Sequence, residues 1–471
     1  MIDWWRLARC RSRYCALLMD SLIAGERFNL PPASYQMRVP QKPMQSEKLK
    51  TEIRVTEMDN YSSGKGEMAP RFIHAFLLMA GSCLPIMGGL LIAPILPEIQ
   101  AHFSGVPRVE FWAPIALTIP ALMIAILAPF AGAIIDRLGR RRPLVIALVL
   151  YAAFGIAPLW LDSLNTIIWS RAGVGLAEAV IMTCCTTLIG DYYDGVRRSK
   201  YLALQVTYVA LSASLFLLLG GLLGELSWRA PFWVYGISLL LAPLAQIYLW
   251  EPERKRRPEV EQKPTPEGAA APSFRPLLLL GICGITLITI IAFYVVPVHL
   301  GFLLNGMGSR SPLTTALIAG LAAVMKVIGT LVFHRLFIIG FTTPRLLALS
   351  CACSGLGLLI LAAATTVNEA TIGALINGFG GGLLVPTLLT WNMGALPLER
   401  RGFGTGAWTA SMFLGQFVNP IVVVSLAGIA GGRAAAVHLI GLGLLALTGI
   451  SLAASLKSAR KPERSELIEH G

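Results

Sequence analysis

Residues 251–275 read EPERKRRPEVEQKPTPEGAAAPSFR. Charged residues, Pro and Ala crowd this stretch, so it reads as an aqueous linker. Outward from it, in both directions, the chain becomes a series of long apolar runs. Towards the N-terminus they fall near 231–250, 201–224, 166–189, 143–161, 111–135 and 72–97; towards the C-terminus, near 276–298, 313–334, 345–365, 369–392, 402–428 and 434–456. Each is close to the length of about 20 residues that an α-helix needs to cross about 30 Å of hydrocarbon. The runs are apolar on every side and carry frequent Gly and Pro, which helices in lipid tolerate. The pattern predicts an all-α membrane protein: twelve transmembrane helices in two pseudo-symmetric six-helix bundles, at 71–250 and 276–457, with a tail at 458–471.

Internal echoes support duplication of a six-span unit. Thr166–Gly175 (TIIWSRAGVG) resembles Thr371–Gly380 (TIGALINGFG) at an offset of 205. Arg197-Arg198 matches Arg400-Arg401 at 203, and Trp228-Arg229-Ala230 echoes Gly432-Arg433-Ala434 at 204. Asp136-Arg137-Leu138 has a worn counterpart in His334-Arg335-Leu336. Parallel repeats of this kind imply a transporter whose halves rock about a site at the bilayer midplane.

The chain carries 39 Lys and Arg against 26 Asp and Glu, a net charge of +13, yet only 14% of residues are charged and mean hydropathy is +0.66. Such a composition excludes disorder, a disulfide scaffold and a polar solenoid. With the N-terminus cytoplasmic, 33 basic residues fall in cytoplasmic segments and 4 in outer loops, while Arg171 and Lys326 lie within spans. The asymmetry predicts a multi-pass protein of the plasma (inner) membrane with both termini cytoplasmic. It accounts for the basic charge as topology, so nucleic acid is not an expected partner. Residues 1–70 contain no spanning run and read as a cytoplasmic, disordered extension, as a regulatory tail, or as sequence upstream of a start at Met37, Met44, Met58 or Met68. Six of the eight cysteines lie in spans as small apolar residues, without the Cys-x2-Cys spacing of zinc sites, so no metal is expected.

The loop between spans 2 and 3 reads Gly132-Ala-Ile-Ile-Asp136-Arg137-Leu-Gly139-Arg140-Arg141. It resembles the Gly-x-x-x-Asp-Arg-x-Gly-Arg-Arg signature of the major facilitator superfamily. Further similarities are Ala93-Pro94-Ile-Leu96-Pro97-Glu98 at the end of span 1 and Arg171-x-x-x-Gly175-x-x-Glu178-Ala179 in span 4, like the Arg-x-x-x-Gly pattern of proton-coupled members. The resemblance covers residues 70–458 and points to the drug and metabolite:proton antiporter branch. It implies the major facilitator fold, a conformational gate at the motif, no cofactor and a monomer. In the gate, Gly132 lets helices approach, Asp136 caps the N-terminus of span 11 near Gly402–Gly404, and Arg140 pairs with Asp191 at the inner end of span 4. Arg137, Gly139 and Arg141 complete it; a topology anchor explains Arg141 and Arg142 equally well. The chain departs from the branch in span 5, where Ser212, Phe216 and Leu217 replace the Gly, Gly and Pro of the antiporter pattern and only Gly220-Gly221 match. The departure leaves export and uptake both open.

Ionisable groups inside a bilayer are costly and default to function. Glu178 is the one carboxylate placed deep within a span, Arg171 lies two turns earlier on the same face, and Lys326 sits mid-span in span 8. Glu178 reads either as a proton carrier or as one member of a static pair with Arg171 or Lys326. Lys326 and Arg171 read alternatively as contacts for an anionic substrate. Asn377, Trp391, Asn392, Gln416 and Asn419 in spans 10 and 11 either line a cavity or join helices. His299 and His334 read as interfacial. The Gly378 to Gly382 run permits close packing, and no Gly-Lys-Ser/Thr follows it, so there is no nucleotide loop. The six His form no cluster of an enzyme, and no repeated filter of a channel is visible. The expectation is a secondary active transporter of a small organic solute, working by alternating access in the lipid bilayer with protons as the coupling ion. Proton-coupled efflux comes first, uptake by symport or facilitation second.

Overall fold

The computed structural model describes residues 72–252, 276–397 and 400–459. The chain divides into two units, residues 1–69 and 70–471, and all described residues belong to the second. The expected N-terminal extension, most of the linker and the C-terminal tail lie outside the described residues.

Twelve helices are long and apolar enough to span a membrane. They are α1 (Phe72–His102), α2 (Val109–Leu138), α3 (Arg141–Leu159), α4 (Leu164–Tyr192), α5 (Gly195–Gly224) and α6 (Ala230–Tyr248) in the first half. The second half holds α7 (Pro276–Gly306), α8 (Pro312–Ile338), α9 (Thr343–Ala363), α10 (Val367–Ala395), α11 (Arg401–Ala430) and α12 (Arg433–Ala459). Each satisfies its own backbone, which is why hydropathy alone locates it. Local signals set the ends. Ser311 accepts from the Thr314 amide ahead of Pro312, and Thr366 and Glu369 form a capping box before α10. One boundary differs materially from the sequence reading: α7 runs to Gly306 instead of ending near 298, because His299 interrupts an apolar run that resumes as LGFLL. His299 is therefore buried within the span, not interfacial.

The halves repeat pair for pair. Helices α2 and α4, α1 and α5, α3 and α4, and α3 and α6 pack together; so do α8 and α10, α7 and α11, α9 and α10, and α9 and α12. Between the halves, α2 packs on α11 and α5 on α8, a set that maps onto itself when the halves are exchanged. In lipid these contacts rest on close packing rather than on burial from water.

A second symmetry is visible in the backbone. Pro94 has no amide hydrogen for the Leu90 carbonyl, and α1 breaks into a short turn at Ala93–Ile95. Pro297 withholds its hydrogen bond from Phe293 in the same way, and α7 breaks at Tyr294. The two prolines are 203 residues apart, within the offsets of the sequence repeat.

Candidate functional site

The break in α1 frees a carbonyl. The Ile92 amide bonds to Gly89 O, so Gly88 O drops out of the helical ladder. It accepts instead from Arg171 Nη2 of α4 and, at 2.8 Å, from Tyr235 Oη of α6. The Arg171 guanidinium lies 4.9 Å from the Tyr235 ring centroid and is fully buried. Tyr151 of α3 donates to Leu84 O at 2.7 Å, one turn back along α1. Glu178 is 1% exposed, and its Oε1 fills the space that a Cβ on residue 88 would need. That oxygen has no hydrogen-bond partner among the described residues.

No ion pair joins Glu178 to Arg171 or Lys326 among the described residues. Arg171 reaches the α1 break, where it and Glu178 both lie against Gly88 and within electrostatic reach of one another. Across the interface, Tyr294 at the α7 break lies within electrostatic reach of Glu178. Its neighbour Phe293 turns into the second half, where Lys326 Nζ sits 5.0 Å from the ring centroid. Asn419 of α11 donates to Ile291 O at 2.7 Å, and its side chain also meets that of buried His299.

The remaining in-span polar residues lie apart. Asn377 Nδ2 donates to Ser354 O of α9 at 3.5 Å, an interhelical contact. Asn392 is fully buried with neither amide atom bonded among the described residues, and Gln416 is half-buried. Sequence reading missed Gly88, Tyr151, Tyr235 and Tyr294. The available signal was Pro94 and Pro297 at the repeat offset, which marks both breaks.

At the linker face, Gly139 has φ +85, a region costly to other L-residues. The turn presents the amides of Arg140 and Arg141 to Glu251, at 2.7 and 2.8 Å, so a carboxylate caps the start of α3. Arg140 pairs with Asp191 at 2.5 Å, and Arg141 Nη2 donates to Gln246 O. Arg137 is exposed and Gly132 lies within α2. The Asp136 side chain, with the α11 cap expected of it, lies outside the described residues. Glu251 was missed because it opens the charged linker and looks like part of it. Gly139→Ala should cost about 1–3 kcal/mol for the backbone alone, and its Cβ would also sit 3.0 Å from Glu251. A drop of several degrees in detergent melting is expected, and an unchanged midpoint would contradict the strained turn.

At the opposite face, Glu225 after α5 accepts from Ser311 Oγ and, at 3.1 Å, from the Leu313 amide, tying the first half to the start of α8. Arg433 stacks 3.9 Å from the Phe302 centroid and donates to Gln100 of α1 at 2.9 Å. The two donors hold the Glu225 carboxyl below the usual range. The ionised form is the one that bonds, so the tie is present at neutral pH and lost as pH on that face falls through the lowered range. In a cysteine-free background, Thr315→Cys, buried near the tie, should react several-fold faster with an impermeant maleimide at pH 7 when Glu225→Ala removes the acceptor than in the parent; an unchanged rate would show that the tie does not hold this face closed.

The sequence model of the Major Facilitator Superfamily matches residues 78–368. The multidrug efflux protein YfmO of Bacillus subtilis (strain 168) is 30% identical over 159 residues, 34% of this chain and 38% of that protein. Quinolone resistance protein NorA of Staphylococcus aureus (strain COL) is 21% identical over 351 residues, 74% of this chain and 89% of NorA. The chain's match to YfmO and to two further Bacillus subtilis multidrug proteins spans 38%, 48% and 34% of their lengths. Among solved structures, the peptide transporter POT in complex with alafosfalin superposes with a TM-score of 0.64 at 15% identity, over 81% of this chain and 94% of that one. A D-xylose-proton symporter gives 0.63 at 15%, over 81% and 97%. With a family match reaching from α1 to the start of α10, over a fold whose halves repeat helix for helix, this chain belongs to the Major Facilitator Superfamily of transporters.

Proposed function

We propose that the protein moves a small organic solute across the plasma membrane by alternating access, with proton movement through Glu178 as the driving step. The single observation that carries this is Glu178 itself: a carboxylate sealed at mid-span, one oxygen unpartnered, between the α1 break and Tyr294 of the other half. Removing such a group from water penalises its charge, and opening the cavity to either side returns it to water. A proton taken up while the cavity is open to one side is kept on sealing and released when the cavity opens to the other. The halves, joined by the linker at 251–275, rock about the two helix breaks; the linker face is cytoplasmic and the chain works as a monomer.

Export is the direction suggested by relatives named for multidrug efflux and quinolone resistance. Uptake by symport is the second reading, favoured by Ser212, Phe216 and Leu217 in α5 where an antiporter pattern is expected. The test is purified protein in liposomes under an imposed pH gradient, with carboxyfluorescein and ethidium as anionic and cationic probes. Uphill movement that collapses with a protonophore supports the reading, and its sign relative to the gradient separates export from uptake. Flux indifferent to the gradient defeats proton coupling.

A further inference from the structure

We infer that the cargo is an organic anion, its negative group taken by Lys326 at the break in α7. The inference rests on the transport reading above and adds the class of substrate to it. Two cations lie within the spans at mid-depth, and the structure separates their roles. Arg171 is fully buried, donates to Gly88 O and stacks on Tyr235, so it is occupied in holding the α1 break. Lys326 is half-buried, and among the described residues it has no carboxylate in ion-pair range and no hydrogen-bond acceptor. Its contact is the Phe293 ring. An aromatic face offsets part of the cost of placing an ammonium at mid-bilayer, and a counter-charge normally supplies the rest.

The surroundings keep that ammonium where a cargo between the halves can meet it. Gly382 of α10 lies against the Lys326 carbonyl, and Gly381 lies against the Phe293 ring. Consecutive residues of α7 then face two ways: Phe293 towards Lys326, and Tyr294 towards Glu178. A solute lying along the break offers its anion to Lys326 and its apolar body to the Phe293 and Tyr294 rings. The carboxylate of Glu178 stands on the other half, so a cation in this place would meet Lys326 as a like charge, whereas an anion completes it. Helix breaks at the midplane are where transporters of this architecture hold their cargo.

The experiment compares three solutes of one skeleton, 2-naphthoate, 2-naphthamide and 2-naphthylmethylammonium, by calorimetric titration of the purified full chain in detergent. Naphthoate should bind at least tenfold more tightly than either other compound. Lys326→Met should remove the preference, and Lys326→Arg should keep most of it with an unchanged melting midpoint. Glu178→Gln should leave it intact. Naphthoate binding no tighter than the ammonium, a preference that survives Lys326→Met, or no naphthoate binding at all overturns the inference. Naphthoate binding that persists while pH-driven flux is absent sinks proton coupling alone; pH-driven flux confined to ethidium sinks the anion alone.

Discussion

Glu178→Gln is expected to abolish accumulation driven by a pH gradient, by at least tenfold, while exchange of solute at equal pH stays within about threefold of the parent. The amide keeps the shape of a protonated carboxyl and cannot release a proton. In the structure Glu178 is 1% exposed with one oxygen unpartnered, and Gln fits the same space. Exchange cycles between the open states without any net proton movement and has no need of ionisation. Driven accumulation requires the carboxyl to give up its proton on one side of each cycle. A tenfold loss corresponds to about 1.4 kcal/mol, small beside the usual cost of a charge at mid-bilayer, about 2.5–3.5 kcal/mol on insertion scales. If Glu178→Gln accumulates solute as the parent does, protons do not pass through this residue. If exchange falls together with accumulation, Glu178 holds the structure or the cargo rather than coupling it.

Gly88→Ala should destabilise the protein, and the sign is what makes the result informative. Within a helix Ala is favoured over Gly by about 1 kcal/mol, so an open site would gain stability. Here the added Cβ lands on Glu178 Oε1 and within 2.9 Å of its carboxyl carbon, with the Tyr151 hydroxyl at 3.5 Å. Overpacking of a tight interior costs about 1–3 kcal/mol, and the carboxyl group must be displaced to admit the methyl. A lower melting midpoint and loss of pH-driven flux are expected together. The second half of a double-mutant cycle decides the cause. In a Glu178→Ala background the same substitution should be neutral or stabilising, since the atom it strikes is gone. Destabilisation of equal size in both backgrounds would show that Gly88 is required for the backbone break and not for its closeness to Glu178.

The loop between α2 and α3 shows how far each level of description reaches. Its glycines and charges were legible as a motif because they are contiguous, and Gly139 has the positive φ that a turn between α2 and α3 demands. Glu251, which caps α3, is separated from Arg140 by 111 residues and belongs by composition to the linker. The polar residues of α10 and α11 teach the opposite lesson. Asn377 had the same standing in the sequence as Asn419, yet it bonds within the second half to Ser354, whereas Asn419 reaches the α7 break. Their helices turn them to different neighbours, and hydropathy carries no information on that rotation.

Read alone, the chain was enough to locate twelve spans, their division into two related sets and the family they belong to. Those properties follow from segments that each meet their own backbone hydrogen bonds and from residues that sit side by side. Only the assembled helices decided that two proline breaks face one another at depth, that Arg171 hydrogen-bonds a freed carbonyl beside Glu178, and that Lys326 is left with an aromatic ring for company. These depend on which faces of separate helices pack together, a choice made among groups from about 80 to 150 residues apart.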